Sequence, residues 1–165
     1  MLSFLVFGDG CAAVLVSADE EGIALDSFNA VMVPDTADLI TWRIGGIGFD
    51  MVLSGKVPGT LSRALDEQNL KTILAGANKE SIDLWAVHPG GRSILDAVED
   101  AVGLAPDALA ASRHVLDNYG NMSSATVLFV LAEMMERAQN GGPTGVGCAM
   151  AFGPGLTAET MLFHL

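Results

Sequence analysis

The segment LWAVHPGG at residues 84–91 decides the predicted fold, because it leads a buried strand into a sharp turn and a helix. Residues 84–87 form a short, continuous apolar run, which is typical of strands that are buried on both faces. Pro89 favours extended geometry at His88, and the two glycines that follow let the chain turn. Open α/β sheets bind ligands at the carboxyl ends of their strands, so His88 is a candidate functional residue. A core histidine bonded to a backbone carbonyl would fit the same position.

The sequence on either side of this segment alternates between strand and helix patterns. Residues 92–103 place apolar side chains on one helix face and acidic ones on the other. The helix predicted at residues 125–139 is apolar on every side through Leu131, Thr126 apart, so we expect it to be central and enclosed. Further helices are predicted at residues 57–74 and 106–117. Strands are predicted at residues 11–17, 23–33, 146–152 and 156–165. The glycine-rich stretch 34–56 is predicted to hold short or irregular strands. These patterns predict an α/β fold in which a mixed sheet is flanked by helices, with a buried central helix.

Length and composition restrict the functions that the chain can serve. With 165 residues, 50% of them hydrophobic, the chain is predicted to form a single domain over residues 1–165. The formal net charge of −12 disfavours binding to nucleic acid. No apolar run is long enough to span a membrane, and residues 1–7 lack the basic lead-in of a secretion signal, so we expect a cytoplasmic protein. Cys11 and Cys148 cannot form a disulfide framework, and no cysteine–histidine cluster has the spacing of a metal site.

A second candidate side chain lies in the segment YGNMSS at residues 119–124. Asn121 precedes the predicted helix at residues 125–139, which the two serines can cap. An amide at this position lies beside the positive end of the helix and can donate hydrogen bonds to a developing anion. Asparagine is also common as a capping or left-handed turn residue after glycine. Together, His88 and Asn121 predict a pair of side chains that stabilises an oxyanion.

Five segments, in matching order and spacing, resemble signatures of the chalcone synthase-like type III polyketide synthases. They are FGDG (7–10), the stretch 48–59, LWAVHPGG (84–91), YGNMSSAT (119–126) and FGPGLT (152–157). The resemblance implies a thiolase-like fold of two similar halves, with this chain as the carboxyl-terminal half, and a homodimer. It also implies an acyltransferase with a Cys-His-Asn triad that condenses an acyl-CoA starter with malonyl-CoA by decarboxylative Claisen chemistry. The CoA thioesters are substrates, so no separate cofactor is expected.

The resemblance assigns roles to individual positions. His88 and Asn121 match the catalytic histidine and asparagine of the family. Phe7 and Phe49 match two gatekeeper phenylalanines between the CoA tunnel and the reaction cavity. Further substrate-binding positions are expected at Ile47, Met51, Ser123, Phe152, Gly153 and Pro154.

The nucleophilic cysteine of the family lies upstream of the FGDG segment, and neither cysteine of this chain matches it. Cys11 takes a position that is usually alanine, and both Cys11 and Cys148 are expected to be small buried side chains. We therefore expect the chain to work with the amino-terminal half of the same synthase and to be inactive alone. Two alternatives stay open: a β-ketoacyl carrier-protein synthase of the type that initiates fatty-acid synthesis, and a non-catalytic domain that binds a ligand or dimerises.

Overall fold

Short strands alternate with helices along the chain, of which the computed structural model describes residues 6–165. The strands are β1 (Ala24–Met32), β2 (Ile40–Gly45), β3 (Gly48–Leu53), β4 (Leu84–Val87), β5 (Val146–Gly153) and β6 (Thr157–His164). The α-helices are α1 (Val57–Ala64), α2 (Glu67–Ile73), α3 (Arg92–Val102), α4 (Ala110–Tyr119) and α5 (Thr126–Gln139). Turns of 3₁₀-helix occur at Lys79–Ser81, Ser123–Ala125 and Pro154–Leu156.

β1, β6, β5 and β4 form a mixed sheet in that order. β5 and β6 are antiparallel because only the 3₁₀ turn Pro154–Leu156 separates them. β4 and β5 are parallel because α3, α4 and α5 carry the chain back along the sheet between them. β2 and β3 form a separate antiparallel hairpin.

Helices cover both faces of this sheet, and successive side chains of β4 point to opposite faces. Trp85 and Val87 belong to a core cluster that contains Leu95 of α3. Leu84 and Ala86 belong to a second cluster, which side chains of α4 and α5 complete. The predicted mixed sheet flanked by helices is therefore confirmed, and the continuous apolar run of β4 follows from its burial on both faces.

The helix predicted over residues 57–74 is two helices in the structure. α1 ends at Ala64, and the side chain of Asp66 then accepts a hydrogen bond of 2.9 Å from the backbone N–H of Asn69. Aspartate is a strong N-cap residue, so it begins a new helix at a place where apolar spacing alone predicts continuity.

Residues 11–17 do not form the buried strand that their apolar run predicts. They carry no strand and lie mostly exposed, with 93% of the Leu15 surface accessible. A strand needs a neighbour for its backbone hydrogen bonds, and none of the strands within residues 6–165 pairs with this run. Cys11 is exposed for the same reason, so its predicted burial is wrong, whereas Cys148 on β5 is buried as predicted.

α5 has one buried face and is not enclosed on all sides by the described chain. Thr126, Val130 and Met134 are buried at the spacing of a single helix face, whereas Leu128 and Leu131 are half-buried. The difference from the predicted enclosed helix arises because the sheet lies on only one side of α5. At 14 residues α5 is also short, and no helix in the part of the chain that the structure covers is long and apolar enough to cross a membrane.

Two phenylalanines on neighbouring strands test this arrangement. Phe163 on β6 is fully buried and its ring packs over Gly147, whereas Phe28 on β1 is 71% exposed. Replacing Phe163 with alanine leaves a cavity and is expected to lower the free energy of unfolding by about 3–5 kcal/mol in urea titrations. The matched substitution Phe28→Ala should change it by less than about 1 kcal/mol. Equal losses in the two variants would contradict the burial described for β6.

Candidate functional site

The carboxyl ends of β4 and β5 meet at one edge of the sheet because the two strands are parallel. His88 follows β4 at this edge, and its backbone N–H donates a 2.7 Å hydrogen bond to the carbonyl oxygen of Met150 on β5. Phe152, Gly153 and Pro154 lie farther along β5 and in the turn that follows it. The structure therefore places the candidate histidine and the predicted cavity loop at the same edge of the sheet.

The Asn121 side chain is buried, and hydrogen bonds fix both ends of its amide. Oδ1 accepts from the backbone N–H of Ser123 at 2.8 Å, and Nδ2 donates to the carbonyl oxygen of Gly90 at 3.2 Å. Because a donor faces the oxygen and an acceptor faces the nitrogen, these partners determine the orientation of the amide. Within residues 6–165, Gly90 is the acceptor found for Nδ2, which leaves its second N–H for a ligand. Asn121 therefore caps a turn with its oxygen and links its own loop to the His88 loop with its nitrogen.

The FGDG segment lies against Asn121 through its backbone. The N–H of Asn121 donates to the carbonyl oxygen of Val6 at 2.8 Å, and the N–H of Gly8 donates to the carbonyl oxygen of Asn121 at 3.0 Å. This parallel bridge places Phe7 beside Asn121. A Cβ on Gly8 would overlap the carbonyl oxygen of Tyr119, so only glycine permits the close approach of the two backbones.

The His88 imidazole is half-buried and has no hydrogen-bond partner among the described residues. Burial lowers the pKa of His88 from 6.5 to about 4, so the ring is neutral near pH 7. A neutral imidazole carries one N–H donor and one acceptor nitrogen. A core histidine would have its ring bonded to a backbone carbonyl, and no such bond is found between residues 6 and 165. The ring therefore keeps both nitrogens for another group.

Neither cysteine is arranged as a nucleophile beside this pair. Cys148 is fully buried, and burial raises the pKa of its thiol to about 12. Such a thiol stays protonated at neutral pH and is a poor nucleophile. Cys11 is exposed, and no hydrogen bond joins it to a histidine in the described part of the chain. The candidate site holds a histidine and an asparagine but no positioned thiolate.

Three of the predicted substrate-binding residues, Ile47, Phe49 and Met51, lie on or beside the β2–β3 hairpin. Ile47 is fully exposed and Phe49 is 65% exposed, so no part of the described chain covers them. The Phe49 ring contacts Trp42 across the hairpin with their centroids 5.8 Å apart, and Met51 pairs with Trp42 in the strand register. The structure does not bring these side chains against His88, and their cavity-lining role stays a prediction.

Ser123, another predicted cavity residue, is exposed and adopts a left-handed conformation with φ of +61°. It lies two residues after Asn121 and donates its backbone N–H to that side chain. Two surface clefts of about 610 and 270 Å³ lie elsewhere, beside α2 and beside α4. Neither of these two clefts is lined by His88 or Asn121.

Comparison with known families identifies the domain. Residues 24–165 match the model of the family described as the C-terminal domain of chalcone and stilbene synthases. The chain belongs to this family. The predicted family and the thiolase-like fold class are confirmed by this match.

The match places four of the five motif segments inside the chalcone and stilbene synthase C-terminal domain. Residues 84–91, 119–126 and 152–157 lie within the matched range, as does the stretch 48–59, whereas FGDG at 7–10 precedes it. The match makes the chain part of a type III polyketide synthase-like protein. The catalytic roles of His88 and Asn121 stay predictions.

Two groups in the site were not singled out by the sequence patterns. The carbonyl of Gly90 holds the Asn121 amide, and the hydroxyl of Thr126 bonds two backbone groups of the turn that follows Asn121. A threonine at the first turn of a helix is a signal for side-chain bonds to nearby backbone, although it does not say which groups are bonded.

The accessibility of the two thiols can be measured directly. We expect an alkylating reagent to modify Cys11 in the folded chain and to leave Cys148 unmodified, because one is exposed and the other is buried. Intact mass spectrometry should show a single adduct under native conditions and two after denaturation. Cys11→Ser serves as the control and should abolish the native adduct. Native modification of Cys148 at the rate of Cys11 would show that β5 is not buried as described.

The lowered pKa of His88 predicts how stability depends on pH. Between pH 6.5 and 4 the unfolded state binds a proton that the folded state rejects, so the stability contributed by the neutral ring is present above pH 6.5 and is lost as the pH falls towards 4. The loss is on the order of 3 kcal/mol. In urea titrations from pH 7 to 4, the free energy of unfolding should therefore fall less for His88→Gln than for the wild type. His114→Gln, at a half-exposed histidine on α4, should decline as the wild type does. If the free energy of unfolding of His88→Gln falls as much as that of the wild type, the His88 ring is solvated in the folded chain.

Proposed function

We propose that this chain supplies His88 and Asn121 to the catalytic triad of a type III polyketide synthase. The enzyme is an acyltransferase that condenses an acyl-CoA starter with malonyl-CoA by decarboxylative Claisen chemistry. The observation that carries the proposal is the hydrogen bond from the Asn121 amide to the carbonyl of Gly90, two residues after His88. It ties Asn121 to the loop that follows His88 at the carboxyl edge of the sheet, where α/β folds bind their ligands.

The proposed chemistry needs neutral hydrogen-bond donors. When malonyl-CoA loses its carboxylate as CO₂, the electron pair of the broken C–C bond forms an enolate, and negative charge develops on the thioester oxygen. An N–H of neutral His88 and the second N–H of Asn121 would stabilise that oxygen, each by a few kcal/mol (~3). Burial supports this role because it favours the neutral ring. A carboxylate in place of Asn121 would repel both malonate and enolate.

The nucleophile is proposed to come from an amino-terminal half of the synthase. Cys148 is excluded by burial, and Cys11 is exposed without a histidine partner among the described residues. Exposed apolar side chains on the described surface support a covering half and a homodimer, since large exposed apolar patches mark interaction sites. They include Val14, Leu15, Phe28, Met32, Ile44 and Ile47. The acyl-CoA and malonyl-CoA are substrates, and the proposed reaction needs no other cofactor.

The proposal is tested by measuring CO₂ release from malonyl-CoA and polyketide formation from an acyl-CoA starter. The chain is assayed together with an amino-terminal half of a type III synthase, supplied as a second polypeptide. We expect His88→Gln and Asn121→Ala each to lower kcat for decarboxylation by about 100- to 1000-fold, because each removes one donor to the enolate oxygen.

The chain offers matched controls on α4. His114→Gln and Asn118→Ala change the same residue types at exposed positions and should retain wild-type rates. Wild-type turnover in His88→Gln and Asn121→Ala would contradict the proposed roles. A wild-type assembly that neither releases CO₂ nor condenses the two thioesters would contradict the proposed activity. Stable acylation of Cys11 by acyl-CoA, seen by intact mass spectrometry, would contradict the proposed source of the nucleophile.

A further inference from the structure

Thr126 is the first residue of α5, and its hydroxyl group is fully buried between two backbone groups of the preceding turn. Oγ1 donates a 2.8 Å hydrogen bond to the carbonyl oxygen of Ser123 and accepts one of 2.8 Å from the backbone N–H of Met122. Oγ1 also lies 3.5 Å from Oδ1 of Asn121. The hydroxyl has a single proton, which the shorter bond to Ser123 takes, so the direct bond to Asn121 is at most a weak, shared one.

The two short bonds act on Asn121 through Ser123. Ser123 has φ of +61°, a conformation that is unfavourable for a residue with a Cβ and persists only where the surroundings hold it. Its backbone N–H donates the 2.8 Å bond that fixes Oδ1 of Asn121. The N–H of Ser123 orients the Asn121 amide. The Thr126 hydroxyl bonds the backbone groups on either side of that N–H, which are the Met122 N–H and the Ser123 carbonyl, and therefore holds it in place.

We propose that Thr126 is the positioning residue for Asn121. The buried hydroxyl holds the turn 121–126 in the one conformation that directs the Ser123 N–H at Oδ1. This leaves Nδ2 aimed at Gly90, with its second N–H free for the reacting oxygen. The inference rests on the proposed function of Asn121 and concerns the geometry of that side chain. Thr126 itself touches no substrate in this scheme.

Removing the hydroxyl while keeping the shape of the side chain isolates this role. Thr126→Val leaves the Met122 N–H and the Ser123 carbonyl without their partner, and buried groups in that state drive a local rearrangement. Thr126→Ser keeps the hydroxyl and loses only a methyl group. Thr160 on β6 offers a matched control, because it is also buried and donates its hydroxyl to the carbonyl oxygen of Ile73, a residue of α2.

The first measurement uses the chain alone and needs no activity. In ¹⁵N–¹H NMR spectra we expect Thr126→Val to shift or broaden the side-chain amide signals of Asn121 and the backbone amide signal of Ser123. Thr126→Ser should leave these signals near their wild-type positions, and Thr160→Val should leave them unchanged even where it lowers the unfolding temperature. Thr126→Ala provides a second variant without the hydroxyl in case the valine variant does not fold. Unchanged Asn121 signals in either hydroxyl-free variant would overturn the inference.

The second measurement is the kinetics of decarboxylation in the assembly described above. We expect Thr126→Val to lower kcat by about 100-fold with little change in KM, since misplacement of a catalytic group by about 1 Å has an effect of that size. Thr126→Ser should restore most of the rate, and Thr160→Val should retain it. If Thr126→Val has a normal kcat while Asn121→Ala is inactive, the positioning role of Thr126 is overturned and the proposed function is not. An active Asn121→Ala would overturn the proposed function and with it the catalytic reason for positioning.

Discussion

The hydrogen bond from Asn121 Nδ2 to the carbonyl oxygen of Gly90 is the constraint on which the candidate site depends. It joins two loops whose bonded residues are 31 positions apart in the chain, one after β4 and one between α4 and α5. Pairing of β4 with β5 fixes the first loop. The second loop reaches it because Gly120, with φ of +70°, ends α4 in a conformation that other residues rarely adopt. The relative placement of His88 and Asn121 therefore follows from backbone geometry that the sheet and one glycine impose.

Burial acts in opposite directions on His88 and on Cys148, which lies opposite Trp85 within the sheet, and keeps both neutral. It lowers the pKa of His88 to about 4 and raises that of Cys148 to about 12, because each charged form would lose its hydration. For Cys148 neutrality removes a nucleophile, whereas for His88 it preserves an N–H donor. A thiolate brought beside His88 would favour the protonated ring and raise its pKa, so the two groups would titrate as a pair. The pKa of about 4 therefore applies to His88 without a neighbouring thiolate.

The parts of the fold that the sequence predicted well are those governed by local patterns. The strand at 84–87 and the helix Arg92–Val102 have continuous or periodic apolar residues with glycines at their ends, and both are found. Residues 11–17 have the same apolar character, yet a strand also needs a pairing partner, which a local pattern cannot supply. In the site, the chemistry expected from the residue types of His88 and Asn121 stays a prediction. The proposed contribution of Thr126 depends on which backbone groups of the turn its hydroxyl bonds, and the residue type alone does not specify them.

Three apolar elements of the described chain lack a covering surface: residues 11–17, the β2–β3 hairpin and β1. Their exposure has one physical explanation under the proposed function, because a second half would cover them together. Exclusion of water from the site would lower the local dielectric and strengthen every hydrogen bond to a developing anion. The two donors would then be weak in the uncovered chain and strong in the assembly. Under the proposed function, covering this apolar surface would therefore also set how strongly His88 and Asn121 stabilise the anion.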